Sequence, residues 1–520
     1  MKLLTKIVLC IILIIIVGSA LLAWKAESII KHNTEDYISA LTNGEYKLKF
    51  DELNIGYFPL RLKVTNANFN SSDSTYIKID STNVLITFSA DQIDLNSIDF
   101  ISFLIGSEGR LRLQFEAPQL VIYHSSDSNI KVTELNKPDS KKRSILFKSL
   151  TINKGYIKYL TDTLKFETEV DYVGEKISSE NLKNDIKLAS DFTLNNIKYE
   201  TANGLDKVEV RKLVYGKKGE LALSDIVLLN VPNKYELGHI LGHEATWHEI
   251  KIDSIKAANP NTFFHNDTIK ISNLGISGFK ALMFRDKRLK FPNIPDRPMI
   301  KAIISKIKVP MVIDRFALDN GQITYQEHIS DFEEAGTINF EKLTIAGSNI
   351  STLHSSGETK FEASALLMGK GLLEIEGTVP HAKNKSHYTL SGTIHSHDLT
   401  IYNPILNYVG GVHITSGLVK KSFFNFTYDS VSSSGALNMI YENLNVKFTN
   451  SEGDVSKNKL DDKLKNFIAN TFVIKKNNEL KGNTRVGKIE FERNPKKSYL
   501  NYWWKSLLSG IKSSIGMKQK

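Results

Sequence analysis

At 520 residues the chain is long enough to hold several cores, since single domains usually run to about 100–200 residues. Hydrophobic residues make up 41% and charged residues 24%, a balance that excludes wholesale disorder. The net charge of +10 comes from lysines interspersed with carboxylates; no dense basic run with interleaved aromatics occurs, so nucleic acid is not an expected partner.

In chain order the first element follows Lys2 and Lys6: IVLCIILIIIVGSALLAW, Ile7 to Trp24, carries no charge. As a helix this run is ~27 Å long, close to the ~30 Å hydrocarbon core of a bilayer. Trp24 stands where an interfacial aromatic belongs, and the lysines favour a cytoplasmic N-terminus. Gly18-Ser19-Ala20 is a passable cleavage site, but Leu21, Leu22 and Trp24 continue the apolar run past it, which favours an uncleaved anchor over residues 1–25. Cys10, the single cysteine, lies within this run behind Leu9 rather than a small residue. Lipoprotein attachment, disulfides, thiolate metal sites and cysteine nucleophiles are therefore not expected.

Glu27 to Asn43 predicts a helix with Ile29, Ile30, Tyr37, Ile38 and Leu41 on one side and Asn43-Gly44 as its stop. Strands take over from there. YKLKF (46–50), LRLKV (60–64), IKID (77–80), RLRLQF (110–115), KIKV (306–309) and NVKF (445–448) alternate apolar and polar residues, the mark of a sheet covered on one face. Two internal repeats stand out. LTINKGYIKYL places Leu150, Ile152, Gly155, Ile157 and Tyr159 at the spacing of Phe316, Leu318, Gly321, Ile323 and Tyr325 in FALDNGQITYQE. Both read as a hairpin whose glycine takes a positive-φ turn position. FDELNI at 50, FKSLTI at 147 and FEKLTI at 340 form the second repeat, and together they predict a recurring β unit.

Helices are expected at 298–307, at 459–476 with Leu460, Leu464, Phe467, Ile468 and Phe472 on one face, and at the C-terminus. There Leu500, Trp503, Trp504, Leu507, Leu508, Ile511 and Ile515 form an apolar stripe beside Lys505, Lys512, Lys518 and Lys520. An interfacial membrane helix has this pattern, and so does a helix that caps the end of a sheet. The expected divisions are 1–25 (anchor), 26–135 (helix and β), 136–310 (middle β), 311–450 (C-terminal β) and 451–520 (amphipathic helices).

Little of the sequence suggests chemistry. His243, Glu244 and His248 form H-E-x-x-x-H, one residue longer than the zinc-protease pattern, so on a helix the imidazoles diverge by ~140°. His239 adds to a histidine-rich loop, and His395 and His397 share a strand face with Asp398 on the other. Glu333-Glu334 are adjacent and make a poor acid/base pair. FRDKR (284–288) reads as either a contact for an anionic head group or a solvated turn. No nucleophile elbow and no phosphate-binding glycine loop occurs. No enzyme activity, catalytic residue, metal or cofactor is expected.

A sheet with one apolar face must cover it. The expected helices are too few to do so, which leaves sheet against sheet or a sheet curled into a trough for apolar ligands. The residues also point to a family. YKLKFDELNIGYFPLRLKVTNANFN (46–70) followed by RLRLQFEAPQLVIY (110–123) resembles the opening of AsmA-like envelope proteins. Residues 390–448, with G-x-L-x-x-x-Y-x-x-L at Gly435, Leu437, Tyr441 and Leu444, resemble their C-terminal region. The resemblance implies a mainly β fold: an N-terminal transmembrane helix, then an elongated, curled antiparallel sheet forming a groove, with a few helices including amphipathic C-terminal ones. It implies a single-pass bacterial inner-membrane protein, most of it periplasmic, that moves phospholipid toward the outer membrane and supports outer-membrane homeostasis.

On this reading Leu48, Phe50, Leu60, Leu62, Val64, Leu150, Ile152, Ile157, Tyr159, Phe316, Leu318, Ile323 and Tyr325 line the groove. Leu500, Trp503, Trp504, Leu507, Leu508 and Ile511 contact a membrane or partner. Phospholipids and the inner membrane are the expected partners. A single row of ~30 strands would reach only ~145 Å, so either a partner (the outer membrane or an envelope protein) completes the path or the protein acts locally. The competing expectation is a closed β scaffold that assists outer-membrane protein assembly without lipid.

Overall fold

A computed structural model describes residues 36, 38–57, 60–71, 73–79, 82–97, 110–127, 130–134, 146–178, 190–216, 219–258, 268–307, 309–353, 357–381, 387–455, 474–478 and 484–517. The apolar run Ile7–Trp24, most of the helix expected over Glu27–Asn43 and nearly all of that at 459–476 lie outside these residues. No helix among the described residues is long and apolar enough to cross a membrane. The fold is mainly β, antiparallel for the most part, with few helices. It divides into two compact units, Met1–Ile226 and Val227–Lys520.

In the first unit β1 (Tyr46–Lys49) and β2 (Glu52–Tyr57) run in line along one edge of β3 (Leu60–Ser71). Beyond a short β4 (Tyr76–Ile79), the long β5 (Thr82–Ser97) pairs with β3. Its other edge carries β6 (Arg110–Glu116) and β7 (Gln119–Ser125), again in line. After β8 (Val132–Glu134), β9 (Leu146–Leu160) lies parallel to both β6 and β7. Then β10 (Leu164–Ser178), β11 (Ser190–Thr201) and β12 (Asp206–Gly216) follow as an antiparallel meander; the connections 161–163 and 202–205 are too short for a crossover. The division between units falls within β13 (Glu220–Asn230).

The second unit repeats this scheme. After α1 (Glu236–Leu241), β14 (Thr246–Ala258) pairs antiparallel with β15 (Ile269–Ser277) and β16 (Lys280–Asp286) in line. Both lie parallel to β17 (Met311–His328), reached by a crossover that contains α2 (Ile300–Ser305). From there β18 (Gly336–Ser351), β19 (Glu358–Leu367), β20 (Gly371–Pro380), β21 (Tyr388–Asp398), β22 (Val412–Tyr428), β23 (Ser432–Phe448) and β24 (Val486–Glu492) pair antiparallel in sequence. The chain ends in α3 (Tyr499–Ser514), whose N-cap Ser498 accepts from Asn501 N. KIKV, expected as a strand, instead begins with Lys306 as the C-cap of α2, and its described residues Lys306, Ile307 and Val309 lie outside any strand because they belong to the crossover.

The first sequence repeat falls on equivalent strands, β9 and β17, but each copy is one continuous strand rather than a hairpin. The positive φ belongs to Lys154 (50°) and Asn320 (53°), one residue ahead of the glycines. Glycine follows because there is no room for a side chain. A Cβ on Gly155 would sit 2.7 Å from Val170 Cγ1 and 2.8 Å from Ile152 Cγ2, and one on Gly321 would sit 2.8 Å from Leu318 Cδ2. The left-handed residue and the register shift beside it insert one extra residue, which bends the strand. Neighbouring strands carry the same device at the same level. Ala117 (φ 47°), between β6 and β7, lies beside Lys154; Gly278 (φ 66°), between β15 and β16, lies beside Asn320. The FKSLTI and FEKLTI copies fall on β9 and β18, which are not equivalent strands.

Gly155→Val is expected to lower stability by about 1–3 kcal/mol through overpacking. Gly275→Ala, where a Cβ meets nothing within 4 Å, is expected to change it by less than ~0.5 kcal/mol. Urea denaturation of the full chain followed by circular dichroism separates the two.

Candidate functional site

Burial sorts the expected lining of the first unit. Phe50, Leu62 and Leu150 are core residues, joined there by Phe69, Val84, Ile122 and Leu113. Leu48, Val64, Ile152 and Tyr159 pack against that core while partly exposed. Ile157 is also partly exposed; the side chain of Leu60 lies outside the described residues.

Further along the same sheet the apolar face continues through residues that the sequence reading did not single out. Ile152, Tyr172, Phe192 and Tyr215 form one cross-strand row over β9–β12. Gly155, Val170, Leu194 and Leu213 form a second, and Tyr159, Phe166, Tyr199 and Val208 a third. Such opposed pairs stabilise a sheet by about 0.2–1 kcal/mol each, and Phe192 stacks on Tyr215 at 5.2 Å. Phe166, Val170, Phe192, Leu194 and Tyr199 are only half-buried, and no helix among the described residues of this unit lies on β10–β12. The other face is polar, with cross-strand pairs Lys165–Glu200 (3.7 Å) and Lys198–Glu167 (3.3 Å). The signal was present as alternation in FTLNNIKYE and KVEVRKLVYG, but nothing in sequence distinguishes a covered row from an uncovered one.

In the second unit Phe316, Leu318, Ile323 and Tyr325 all lie on one face of β17, because the bulge at Asn320 restores the alternation that the extra residue would invert. Leu318 is buried at 5% exposure with Leu343 and Ala365; Phe316 and Ile323 pack partly exposed around them. The rows Ile276–Leu318–Ile345–Ala363 and Ala281–Ile323–Phe340–Leu367 extend the face across β15–β19.

Farther on, α3 covers the face. Tyr502, Ser506, Gly510 and Ser514, spaced four apart, are its buried stripe. Gly510 and Gly487 of β24 face each other so closely that a Cβ on Gly487 would strike the Gly510 carbonyl. Ser506 and Ser433 hydroxyls bond at 2.7 Å. Ser509 and Ser513 accept from the edge amides of Glu490 and Lys488, which removes donors that an unprotected edge strand would present. Trp503, Leu507 and Ile511 pack partly exposed against the core, with Trp503 stacked on Phe361 at 6.1 Å. Leu508 is partly exposed; Leu500 and Trp504 face outward at 54% and 49% exposure.

At one end of this face the apolar residues give way to charge. Glu244, only 4% exposed in its side chain, binds Arg285 at 2.7 Å and Lys497 at 3.4 Å. Lys497 also lies 3.6 Å from the centre of the Phe291 ring. Glu327 accepts from Tyr325 OH at 2.6 Å and pairs with Lys287 at 2.6 Å. Burial, then Glu327, pushes the Tyr325 phenol well above its ordinary range. Burial lowers the Lys497 ammonium, and Arg285 and Lys287 lower it further against the opposing pull of Glu244.

The histidine motif resolves into separate roles. His243 Nδ1 lies 3.1 Å from the Glu244 carbonyl and the His248 amide donates to Asn230, while the Glu244 carboxylate serves the ion pairs. His395 pairs with Glu374 at the surface; His397 is buried against the Tyr402 hydroxyl at 3.0 Å. Asp398 caps the turn that begins at Leu399. Among the described residues no group of three or more metal-ligating side chains converges.

Fold and site define a class: a mainly β protein whose sheets are polar on one face and carry apolar cross-strand rows on the other, ending in a charged knot in the second unit. No family model and no curated protein matches the chain.

Glu244→Gln leaves Arg285 and Lys497 without their shared anion, and the expected loss is about 3–5 kcal/mol. Adding Arg285→Met is expected to recover part of it. Chemical denaturation of both full-length variants measures the difference; unchanged stability in Glu244→Gln would show that solvent compensates the cations.

Proposed function

We propose that this chain is a membrane-anchored periplasmic β-groove protein of the AsmA-like type, binding phospholipid acyl chains and contributing to lipid transport between the inner and outer membranes and to outer-membrane homeostasis. The observation that carries the reading is the half-buried ladder of Phe166, Val170, Phe192, Leu194 and Tyr199, which no helix among the described residues covers. Apolar surface of this kind gains about 25 cal/mol per Å² when covered, and an acyl chain can supply the cover at ~0.8 kcal/mol per CH₂. Aligned bulges support the curled shape that the reading needs, since each bends its strand and increases its twist. The uncharged run Ile7–Trp24 supports the anchor. Binding and conduction require no chemical step, and the proposal assigns none.

A second reading, a closed β scaffold that assists outer-membrane protein assembly, is favoured by one observation: α3 fills the face over β23 and β24 with its own Tyr502–Ser514 stripe. In the first reading α3 closes one end of the second unit's apolar face, and Leu500 and Trp504 remain for a membrane or protein partner.

Native mass spectrometry of the full chain, extracted in an uncharged detergent, distinguishes them. The groove predicts several co-purified phospholipids per chain, and their loss in a Leu194→Asp/Leu213→Asp variant that keeps the wild-type circular dichroism. A folded, lipid-free wild-type protein would overturn the groove and favour the closed scaffold.

A further inference from the structure

Three cations meet at the end of the second unit's apolar face: Arg285 and Lys287 from β16 and the turn after it, and Lys497 from the segment before α3; Lys505 of α3 is exposed and stands within electrostatic reach of Lys287 and Glu327. Two carboxylates face them, Glu244 and Glu327. Glu244 is shared by Arg285 and Lys497, Glu327 pairs with Lys287, and Lys505 has no carboxylate within salt-bridge distance among the described residues. The knot therefore holds more positive charge than it neutralises. Arg285 Nε is buried and finds no acceptor among the described residues, although a native interior leaves few donors unpaired. The side chains of Lys287 and Lys497 are about one-third exposed, at 31% and 29%, so an incoming ion reaches them. The Lys505 ammonium is lowered first by desolvation, then by Lys512 and Lys287, against the opposing pull of Glu327.

The surroundings say what kind of anion fits. Lysine arms converging with an arginine suit a phosphate, whose oxygens accept charge-assisted bonds from several directions. The segment that presents Lys497 is pinned in place. Lys496 pairs with Asp296 at 3.0 Å and donates to the Ile294 carbonyl at 2.7 Å, and Arg297 N donates to the Pro495 carbonyl at 2.7 Å. The knot also continues directly into the apolar face, on which Phe316 and Ile323 are partly exposed around buried Leu318. Glu327, Tyr325, Ile323, Leu318 and Phe316 share one face of β17, and the stretch from Glu327 to Phe316 is ~35 Å long. That exceeds the ~15 Å half-thickness of a bilayer core, which is the length of one acyl chain.

We propose that Lys287, Lys497 and Lys505, with Arg285 behind them, form a phosphate-ester site that holds the head group of a phospholipid whose acyl chains lie along β17. This rests on the groove reading above and adds where the polar end of the ligand sits. Free inorganic phosphate shares the chemistry and is the other source.

The test uses the full chain in uncharged detergent micelles with three probes: phosphatidylglycerol, diacylglycerol with the same acyl chains, and inorganic phosphate. Wild type is expected to bind phosphatidylglycerol more tightly than diacylglycerol. Lys497→Met/Lys505→Met is expected to weaken phosphatidylglycerol at least ~10-fold, the worth of one lost charged hydrogen bond or more, while leaving diacylglycerol unchanged. Lys497→Arg/Lys505→Arg is expected to restore binding, which a variant that merely misfolds would not predict. Phosphate bound by wild type and lost in the Met variant, with both lipids unaffected, assigns the site to a soluble phosphate. If the Met variant binds phosphatidylglycerol and phosphate like wild type, the head-group site is overturned and the groove survives. If neither glycerolipid binds wild type, the groove itself fails.

Discussion

Side chains alternate across a strand, so one extra residue sends everything beyond it to the opposite face unless the backbone takes up the slack. Strands as long as β9 and β17 meet this constraint in the same way. Lys154 and Asn320 adopt left-handed conformations and absorb the extra residue, and the apolar residues on either side of them stay on one face. The adjacent strands answer at the same level, through Ala117 in one unit and Gly278 in the other. Without this matched line, Ile157 and Tyr159 would part company with Leu150 and Ile152, and no continuous apolar face would form. The glycines that follow the bulges keep the bend from forcing side chains into each other.

An apolar face made this way has to end somewhere, and the second unit shows how. The sheet stops at β24 because α3 lies on it at glycine-to-glycine distance and its serines occupy the edge amides. Each device needs the others. A larger residue at 487 or 510 would lift the helix, and a lifted helix would expose both the aromatic core around Tyr428 and the free edge. Over β10–β12 of the first unit no such helix stands among the described residues, and the difference between these two regions is the physical basis for assigning them different work.

Charge enters where the apolar face runs out. Glu244 belongs to a motif one residue longer than the zinc-protease pattern, and its carboxylate holds Arg285 and Lys497. A carboxylate so deeply buried needs such partners, because an isolated buried charge is far too costly. The reach from Glu244 to Lys497 also ties the start of α3 to the sheet, so the polar knot and the helix cover support one another.

Much of the architecture was legible in the sequence. Period-two alternation identified the strands and their one-sided character, and the spacing shared by Leu150–Tyr159 and Phe316–Tyr325 identified the repeated unit. The amphipathic stripe marked α3, since the four-residue spacing of Trp503, Leu507 and Ile511 is a helical period. These features were readable because they depend on neighbours a few residues apart. What only the tertiary structure decided depends on partners far away in the chain. A glycine inside a strand looks the same whether it makes a turn or sits behind a bulge, and Val170 beside Gly155 made that choice. Half-buried Phe192 and fully buried Phe424 alternate alike with polar residues, and only the presence or absence of a covering element separates them. The cationic knot draws Arg285 and Lys497 from segments some two hundred residues apart, and no local pattern predicts that two such groups will share one carboxylate.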